Sequence, residues 1–321
     1  MVNCLVSVIV ITYNQEKYIE KCLNSILLQK FDGTIEVLVG DDASTDSTST
    51  IVKKYSELYP SIIKPVIRKQ NVGATKNILD LIGRANGKYL AFCEGDDYWV
   101  SSEKLELQTK FMSTREDIVG CVHNVLVLDE NERALITQNV SWISSDAINI
   151  LDSFDGILLP GHLSTLLVRK IDFTKFRYLD VLFVDRNLSD RMLFLLFATI
   201  GDIVRLSETL SVYRYMRSLA SGNVTATINF IDKTNCKKDM HIYNSMELWL
   251  EQECGIQKHF ISAQSRVLVT ALFHQIKGYD VSFYEVWNMC SHKYLALARF
   301  PIAFVEQFVQ KIKVMFGFEL R

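Results

Sequence analysis

Leu5–Ile11 reads LVSVIVI, an uncharged run rich in β-branched residues that ends at the polar Thr12-Tyr13-Asn14. Such a run is typical of a strand that is buried on both faces. Further strands are predicted at Ile35–Gly40, Lys64–Arg68 and Lys88–Cys93. Helical patterns lie between the strands, at Glu16–Gln29, Ser47–Tyr59 and Ala74–Arg84. Strands separated by helices of this length indicate an α/β fold with a right-handed, mostly parallel sheet.

Polar residues directly follow three of these strands, at Thr12-Tyr13-Asn14, Asp41-Asp42 and Glu94-Gly95-Asp96-Asp97. In open α/β sheets, ligands bind beyond the carboxyl ends of the strands. Paired carboxylates suit a hard divalent cation that also takes phosphate oxygens. Taken singly, each acidic pair is equally typical of a turn or of a helix start. Two pairs at one sheet edge repel each other unless a cation or a donor-rich ligand offsets them, which favours a ligand site.

Composition narrows the classes of partner and of metal. Thirty-five basic and 37 acidic residues leave a net charge of −2, so no nucleic-acid partner is predicted. The seven cysteines and six histidines show no zinc-site spacing, so we expect any metal to be oxygen-ligated. The longest later uncharged runs, Met192–Gly201 and Gly156–Val168, are too short to cross a bilayer, and the first 15 residues lack a basic n-region. These features predict a cytoplasmic protein.

The pattern changes beyond about Ile118. Gly120–Leu128 and Ala134–Gln138 are predicted to form a hairpin around Asp129-Glu130-Asn131. A mixed region of strands and helices continues through Leu158–Arg169, Ser189–Ile200 and Ile203–Tyr215. After about Gly222 the pattern is mainly helical. We therefore predict one domain over residues 1–222 and a helical C-terminal region over residues 223–321.

The order of these motifs resembles the large family 2 of glycosyltransferases over about residues 5–215. The segments that carry the resemblance are Val8–Asn14, Asp41–Asp46, Asn71-Val72-Gly73, Gly87–Leu90 and Glu94–Asp97. The resemblance implies the GT-A fold, transfer with inversion at the sugar, and a nucleotide-sugar donor, with a UDP-sugar favoured. It also implies Mn²⁺ or Mg²⁺ as the cofactor.

Roles follow from the resemblance position by position. Ile11, Thr12 and Tyr13 would line the base, and Asp42 would bond its imide nitrogen. Asp96 would lie near the ribose and the metal, and Asp97 would bind the metal directly. Lys76 stands where relatives often carry Arg, and it would contact base or phosphate without Arg's bidentate fork.

An inverting transfer needs a base for the acceptor hydroxyl. Relatives carry an acid before a helix, ahead of a glycine turn and a strand that ends in Tyr-Arg. Asp190 occupies that place here, with Asp185 as the reserve candidate, and the alternative is that Asp190 only caps its helix. Arg191 replaces the aromatic residue of many relatives, which implies a different acceptor pocket.

Two more residues are candidates for contact with the acceptor or the sugar. Trp99, just after the acidic pair, is predicted either to stack on a sugar face or to be a core residue. His162, in Pro160–Thr165, either lines the acceptor side or is structural.

The C-terminal segment carries apolar residues at helical spacing, with basic residues nearby. The apolar ones are Phe304, Phe308, Ile312, Met315 and Phe316, and the basic ones are Lys311, Lys313 and Arg321. Packing on the catalytic domain, homo-oligomerisation or acceptor binding, and peripheral contact with the inner face of a membrane all remain open.

The sequence thus predicts a hexosyl- or N-acetylhexosaminyltransferase that extends a bacterial polysaccharide or a glycoprotein glycan. A sugar nucleotidyltransferase and an NAD-dependent dehydrogenase are disfavoured, because Thr12–Gln15 is not a glycine-rich phosphate loop. A catalytically degenerate glycan-binding or scaffold subunit is the remaining alternative. The acidic residues at 42, 96, 97 and 190 argue against it.

Overall fold

The structure is a computed structural model that describes residues 6–129, 131–134, 147–148, 159–171, 184, 190–215 and 235–316. For residues 147, 148, 190, 191 and 310–316 it describes the backbone alone. The strands are β1 (Val6–Thr12), β2 (Ile35–Asp41), β3 (Ile63–Ile67), β4 (Tyr89–Glu94), β5 (Tyr98–Trp99), β6 (Ile118–Leu128), β7 (Ala147–Ile148), β8 (Leu167–Arg169) and β9 (Asp202–Arg214). The helices are α1 (Ile19–Leu27), α2 (Thr48–Leu58), α3 (Ala74–Arg84), α4 (Lys104–Ser113), α5 (Asp190–Ala198), α6 (Cys236–Cys254), α7 (Ile261–Ile276), α8 (Phe283–Met289) and α9 (Lys293–Phe316).

The strands form one sheet in the order β3-β2-β1-β4-β8-β6-β9-β5, with β7 paired to β9. In its first half, β3, β2, β1 and β4 are all parallel, as predicted from the alternation of strands and helices. Thr12 pairs with Asp41, and Ile11 pairs with Glu94. This register brings the carboxyl ends of β1, β2 and β4 to one edge, together with the polar residues that follow them.

The second half of the sheet is mixed, as expected for the region of strands and helices predicted beyond about Ile118. β8 pairs antiparallel with both β4 and β6, and β9 pairs parallel with β6 but antiparallel with β5 and β7. The alternation of strand and helix that dictates a parallel sheet ends at β4, so it does not set the direction of later strands. The predicted turn exists, since Asp129 Oδ1 accepts the N–H groups of Asn131 and Arg133. Leu128 at the end of β6 also forms an antiparallel bridge with Ala134, as the predicted hairpin requires. β6 pairs in addition with β8 and β9, and residues 135–138 of the predicted hairpin lie outside the described residues.

Hydrophobic burial explains the first elements of the fold. The side chains of Val6, Val8 and Val10 in β1 are fully buried. Helix α1 turns its apolar stripe of Ile19, Cys22, Leu23 and Ile26 into the same core. Each fully buried aliphatic side chain contributes roughly 1.5–3 kcal/mol relative to exposure, so this stripe holds α1 against the sheet.

The described residues fall into two compact units, with residues 6–215 in one and residues 235–316 in the other. The second unit is helical, as predicted, and α7 packs on α9 through stacked rings of Phe273 and Phe304, whose centroids are 5.1 Å apart. Phe308 of α9 remains 55% exposed. The side chains of Ile312, Met315 and Phe316, which belong to the predicted apolar face, lie outside the described residues. Of the helices described, none combines the length and the apolar character needed to cross a membrane.

Candidate active site

The glycine before the acidic pair is required by a close approach of two loops. Gly95 donates its N–H to the Ile11 carbonyl over 3.0 Å. A Cβ at Gly95 would lie 2.4 Å from Gln15 Oε1 and 2.8 Å from Thr12 Oγ1. The loop after β4 therefore packs directly on the loop after β1, and only glycine leaves room for this contact.

Asp42 joins two further loops of the same edge. Its Oδ1 accepts the N–H of Val72 over 2.8 Å, and its Oδ2 accepts the N–H of Gly73 over 2.9 Å. Gly73 has φ +90°, a backbone conformation that glycine adopts without a steric penalty. The Asn71-Val72-Gly73 motif is thus explained locally as the partner of Asp42, and Arg68 Nε lies 4.0 Å from Asp42 Oδ1.

The loops after β1 and β2 are hydrogen-bonded to each other. Asn14 donates its N–H to Ser44 Oγ over 2.9 Å and accepts the N–H of Thr45 through Oδ1 over 2.8 Å. Gln15 donates its N–H to Thr48 Oγ1 over 2.8 Å. These bonds explain why Thr12–Gln15 and Ser44–Thr48 form one surface beside Asp42.

Asp97 is a deeply enclosed carboxylate of the site, with a side chain that is 1% exposed. Its Oδ1 accepts the backbone N–H of Arg214 over 2.9 Å. Its Oδ2 accepts the hydroxyl of Ser164 over 2.5 Å, and Ser164 Oγ in turn accepts the N–H of Glu94 over 3.2 Å. Two segments that are distant from Asp97 in sequence therefore hold this carboxylate in one orientation.

A histidine completes a group of possible metal ligands around Asp97. His162 Nδ1 lies 3.3 Å from Asp97 Oδ2, and His162 Nε2 lies 3.3 Å from Glu94 Oε2. The ligand atoms of these three residues all lie within 4.8 Å of one another. Tyr213 stacks on the His162 ring with centroids 4.1 Å apart, which fixes the plane of the imidazole.

The charges of the site fit a bound cation. Burial, reinforced by the negative charge of Asp96, raises the pKa of Asp97 well above its usual value, although Ser164 and Arg214 oppose the shift. Burial also lowers the pKa of His162 to about 3, which keeps the imidazole neutral, and its Nδ1 accepts the backbone N–H of Ser164 over 3.3 Å. A divalent cation would supply the positive charge that favours ionised Asp97, so the residues present fit Mn²⁺ or Mg²⁺.

Arg214 is 2% exposed and contacts the turn that carries the acidic pair. Its Nε donates to the Asp96 carbonyl over 3.0 Å, and its Nη1 lies 3.3 Å from Glu132 Oε1. The guanidinium also lies over the ring of Tyr18, 4.7 Å from the centroid. These contacts place both the backbone and the side chain of Arg214 against the Asp96-Asp97 turn.

The sugar-stacking role considered for Trp99 is corrected by the structure, which places Trp99 in the core. The residue is 4% exposed and pairs with Ser211 across β5 and β9. The ammonium group of Lys104 lies over its ring, 4.2 Å from the centroid. A sugar cannot stack on a ring that is covered in this way. Burial lowers the pKa of Lys104 itself to about 7.

The remaining predicted nucleotide-binding residues lie at or just after the ends of β1 and β4 or near the start of α3. Tyr13 is partly exposed at the edge formed by β1 and β2, and Thr12 is buried with its hydroxyl 2.8 Å from Gln15 Oε1. Lys76 is exposed near the start of α3, just beyond Gly73. Asp96 is 6% exposed beside Asp97.

The predicted base lies at the limit of the described residues. The described part of helix α5 runs from Asp190 to Ala198, but the side chains of Asp190 and Arg191 lie outside the described residues, as does all of Asp185.

The sequence predicts a ligand-binding turn at Glu94–Asp97 and the end of a strand at Arg214. No local pattern, however, indicates that Glu94 takes part in the site or that Arg214 and Ser164 hold Asp97. The Tyr-Arg strand ending is the one signal in the sequence that could have pointed to Arg214. The contact of Ser164 and His162 with Asp97 depends on pairing of β8 with β4, for which the sequence contains no comparable signal.

The sequence profile of glycosyl transferase family 2 matches residues 7–172, which include β1 to β4, the acidic pair and the His162 segment. The chain belongs to this family. The match confirms the resemblance inferred from the motifs.

Individual relatives are similar over part of their length. An uncharacterised protein of Mycobacterium tuberculosis is 32% identical over 209 residues, which are 65% of this chain and 58% of the relative. The putative teichuronic acid biosynthesis glycosyltransferase TuaG of Bacillus subtilis is 39% identical over 111 residues, 35% of this chain and 43% of TuaG. The chain therefore spans about half the length of these relatives.

Among solved structures, residues 1–349 of S. aureus TarS in complex with UDP have a similar fold. The TM-score is 0.60 at 21% identity, and the match covers 99% of this chain and 93% of that one. The likeness confirms the GT-A fold with a helical C-terminal region.

Proposed function

We propose that this protein transfers a sugar with inversion from a UDP-sugar to a hydroxyl of a glycan or glycoprotein acceptor. The observation that carries the proposal is the buried Asp97, held beside Glu94 and His162 at the sheet edge where the loops of Tyr13 and Asp42 meet. This edge is where open α/β sheets bind ligands, and its carboxylates suit a cation that carries a diphosphate.

The preference for a uridine donor rests on similar proteins. TarS was solved with UDP and also with UDP-GlcNAc. WfaP of Escherichia coli, named as a UDP-Glc:α-D-GlcNAc-diphosphoundecaprenol β-1,3-glucosyltransferase, is 37% identical over 112 residues, 35% of this chain and 43% of WfaP. Together with TuaG, these proteins support a role in the synthesis of a bacterial polysaccharide.

In this proposal the nucleotide lies across the ends of β1, β2 and β4. Tyr13 and the backbone of Ile11-Thr12 line the base, Asp42 accepts its imide N–H, and Lys76 contacts base or phosphate. Asp96 bonds the ribose. Because Asp42 is already held by two backbone N–H groups, its carboxylate is oriented before the nucleotide binds.

Asp97 is the proposed principal metal ligand, with Asp96, Glu94 and His162 around it. Bound Mn²⁺ or Mg²⁺ would neutralise the charge that develops on the departing diphosphate. The imidazole nitrogen among the donors favours Mn²⁺ of these two ions, since Mg²⁺ prefers oxygen ligands. Ser164 and the Arg214 backbone orient Asp97, and Arg214 supports the turn that carries it.

Asp190 is the proposed base. It would take the proton of the acceptor hydroxyl as the oxygen forms its bond to the anomeric carbon and the bond to the diphosphate breaks. The place of Asp190 in the family motif, ahead of the Gly201 turn and the strand that ends in Tyr213-Arg214, supports this role. Asp185 remains the reserve candidate, and Arg191 is proposed to contact the acceptor.

The C-terminal helical region, residues 223–321 as predicted, is proposed to bind the acceptor or a second copy of the chain. Exposed apolar side chains of α9, including Leu295, Ile302 and Phe308, support an interaction of this kind. Contact with the inner face of the membrane is compatible with the same surface and would suit a lipid-linked acceptor.

The test is a donor panel with purified protein. UDP-, GDP- and dTDP-sugars are each incubated with and without Mn²⁺, and nucleotide release and thermal stabilisation are measured. We expect metal-dependent release from a UDP-sugar that increases when a glycan acceptor is added. Stabilisation by a UDP-sugar without any release would instead favour the glycan-binding or scaffold alternative, and release from a GDP- or dTDP-sugar alone would contradict the uridine assignment.

A further inference from the structure

A second group of metal-ligating side chains lies in the helical unit, separate from the site of Asp97. It consists of Glu247 on α6, His259 in the segment between α6 and α7, and His292 just before α9. One ligand atom from each residue lies within 4.8 Å of the other two. The three residues do not have the sequence spacing of a known zinc-binding motif, so the sequence alone does not indicate the group.

Distances within the group are close to those of a metal site. His292 Nε2 lies 3.2 Å from Glu247 Oε2, and the rings of His259 and His292 have centroids 4.0 Å apart. A tetrahedral zinc ion with bonds of about 2.0–2.1 Å places its ligand atoms about 3.4 Å apart. The Glu247–His292 edge therefore needs almost no adjustment, and the ligand atom of the exposed His259 lies within 4.8 Å of the other two.

Glu247 is a buried carboxylate that its neighbours already hold in place. Its Oε1 accepts the N–H of Phe260 over 2.6 Å and the amide of Gln264 over 3.1 Å. Its Oε2 accepts the hydroxyl of Ser291 over 2.9 Å and faces His292. Outer hydrogen bonds of this kind orient the ligands of a metal and raise its affinity.

We propose that Glu247, His259 and His292 bind one zinc ion, with an open fourth position for water or an anionic ligand. Two imidazoles and one carboxylate are a donor set that Zn²⁺ accepts, whereas Mg²⁺ prefers oxygen ligands. The ion joins α6, the start of α7 and the start of α9, and so stabilises the helical unit. The site is independent of the proposed sugar transfer.

The test uses the full chain after removal of metals, in an Asp97→Asn background so that the first site is weakened. Zn²⁺ affinity is measured by competition with a chromophoric chelator, and the coordination geometry by the visible absorption of bound Co²⁺. We expect one Zn²⁺ per chain and the strong absorption of tetrahedral Co²⁺. Substitution His259→Gln or His292→Gln should lower Zn²⁺ affinity at least about 10-fold.

His241→Gln is the matched control, because His241 is an exposed histidine on α6 outside the group. It should retain both the affinity and the rise in Tm that Zn²⁺ produces. His259 is exposed, so His259→Gln is expected to fold even if His292→Gln does not. Equal Zn²⁺ affinity in the His259→Gln and His241→Gln proteins, or no Zn²⁺ binding in the Asp97→Asn background, would overturn the proposal.

Discussion

Arg214 donates its backbone N–H to Oδ1 of Asp97 over 2.9 Å, although 117 positions separate the two residues. The bond exists because β9 runs beside β5, where Trp99 pairs with Ser211. The last residue of β9 therefore reaches the acidic turn. The orientation of the proposed metal ligand depends in this way on the second half of the sheet as well as on the strand that carries it.

Replacement of Asp97 should remove metal-assisted transfer. Asp97→Asn keeps the size of the side chain but removes the charge that binds the cation. A loss of about 4 kcal/mol of stabilisation corresponds to a fall of roughly 1,000-fold in kcat, and steady-state rates across a Mn²⁺ titration measure it.

The same variant should be at least as stable as the wild type without metal at neutral pH. The raised pKa of Asp97 means that ionising its carboxylate at neutral pH opposes folding, and Asn avoids this cost. Asp202→Asn, an exposed carboxylate at the start of β9, is the control and should remain active. Unchanged activity in Asp97→Asn would remove that residue from the metal site.

Asp190→Asn tests the base. We expect kcat to fall by about 10²–10⁴-fold, since the acceptor proton loses its recipient, while the KM for the donor changes little. Asn caps a helix as well as Asp does, so the start of α5 should be preserved and Tm should stay close to that of the wild type. If Asp190→Asn is fully active and Asp185→Asn is not, the reserve candidate is the base.

Because the loops after β1 and β4 are in contact, we expect replacement of two glycines by alanine, at Gly95 and at Gly83, to have opposite effects on stability. Gly95→Ala forces a Cβ against Thr12 and should cost roughly 1–3 kcal/mol, with a raised KM for the nucleotide-sugar. Gly83→Ala is the control. Its Cβ meets no atom within 4 Å, and Ala in the last turn of α3 should stabilise by about 0.4–1 kcal/mol because it restricts the unfolded chain. Thermal unfolding and donor kinetics of both proteins compare the two; a Gly95→Ala protein as stable and active as Gly83→Ala would contradict this packing.

Because Lys104 is buried, we expect the free energy of unfolding to rise with pH above about pH 7. Its pKa is lowered to about 7 by burial, so between about pH 7 and its ordinary value of 10.5 the unfolded chain binds the extra proton. The penalty of burying the charge is complete below about pH 7 and disappears as pH rises through that window. From pH 7 to pH 9 this group should add roughly 2–3 kcal/mol to the free energy of unfolding.

Lys104→Met should abolish this increment and should be more stable than the wild type at pH 7. Lys110→Met is the matched control, because Lys110 is exposed on the same helix. Comparing the Tm of the three proteins at pH 7 and pH 9 isolates the contribution of Lys104 from that of other titrating groups. A Lys104→Met protein with the same pH response as the wild type would contradict the shifted pKa.

The first half of the fold could be predicted because its signals are local. Val6–Thr12 and the strands up to Tyr89–Glu94 are apolar runs whose bounds agree with the predicted ones to within a few residues. Helical stripes between them fix the crossover connections, and these in turn bring the ends of the strands to one edge. The family resemblance drew on the same stretches.

Only the tertiary structure decided which residues surround Asp97. Ser164, His162 and Arg214 reach it through the pairing of β8 with β4 and of β9 with β5, and pairing between distant strands leaves no local trace in the sequence. The burial of Trp99 under Lys104 was not predictable from the sequence for the same reason, because it depends on how α4 packs on the sheet. The same holds for the group at Glu247, which forms from three separate segments. The sequence by itself determined the sheet edge and its acidic pair, because strand and turn propensities are local; the environment of that pair was decided by long-range packing.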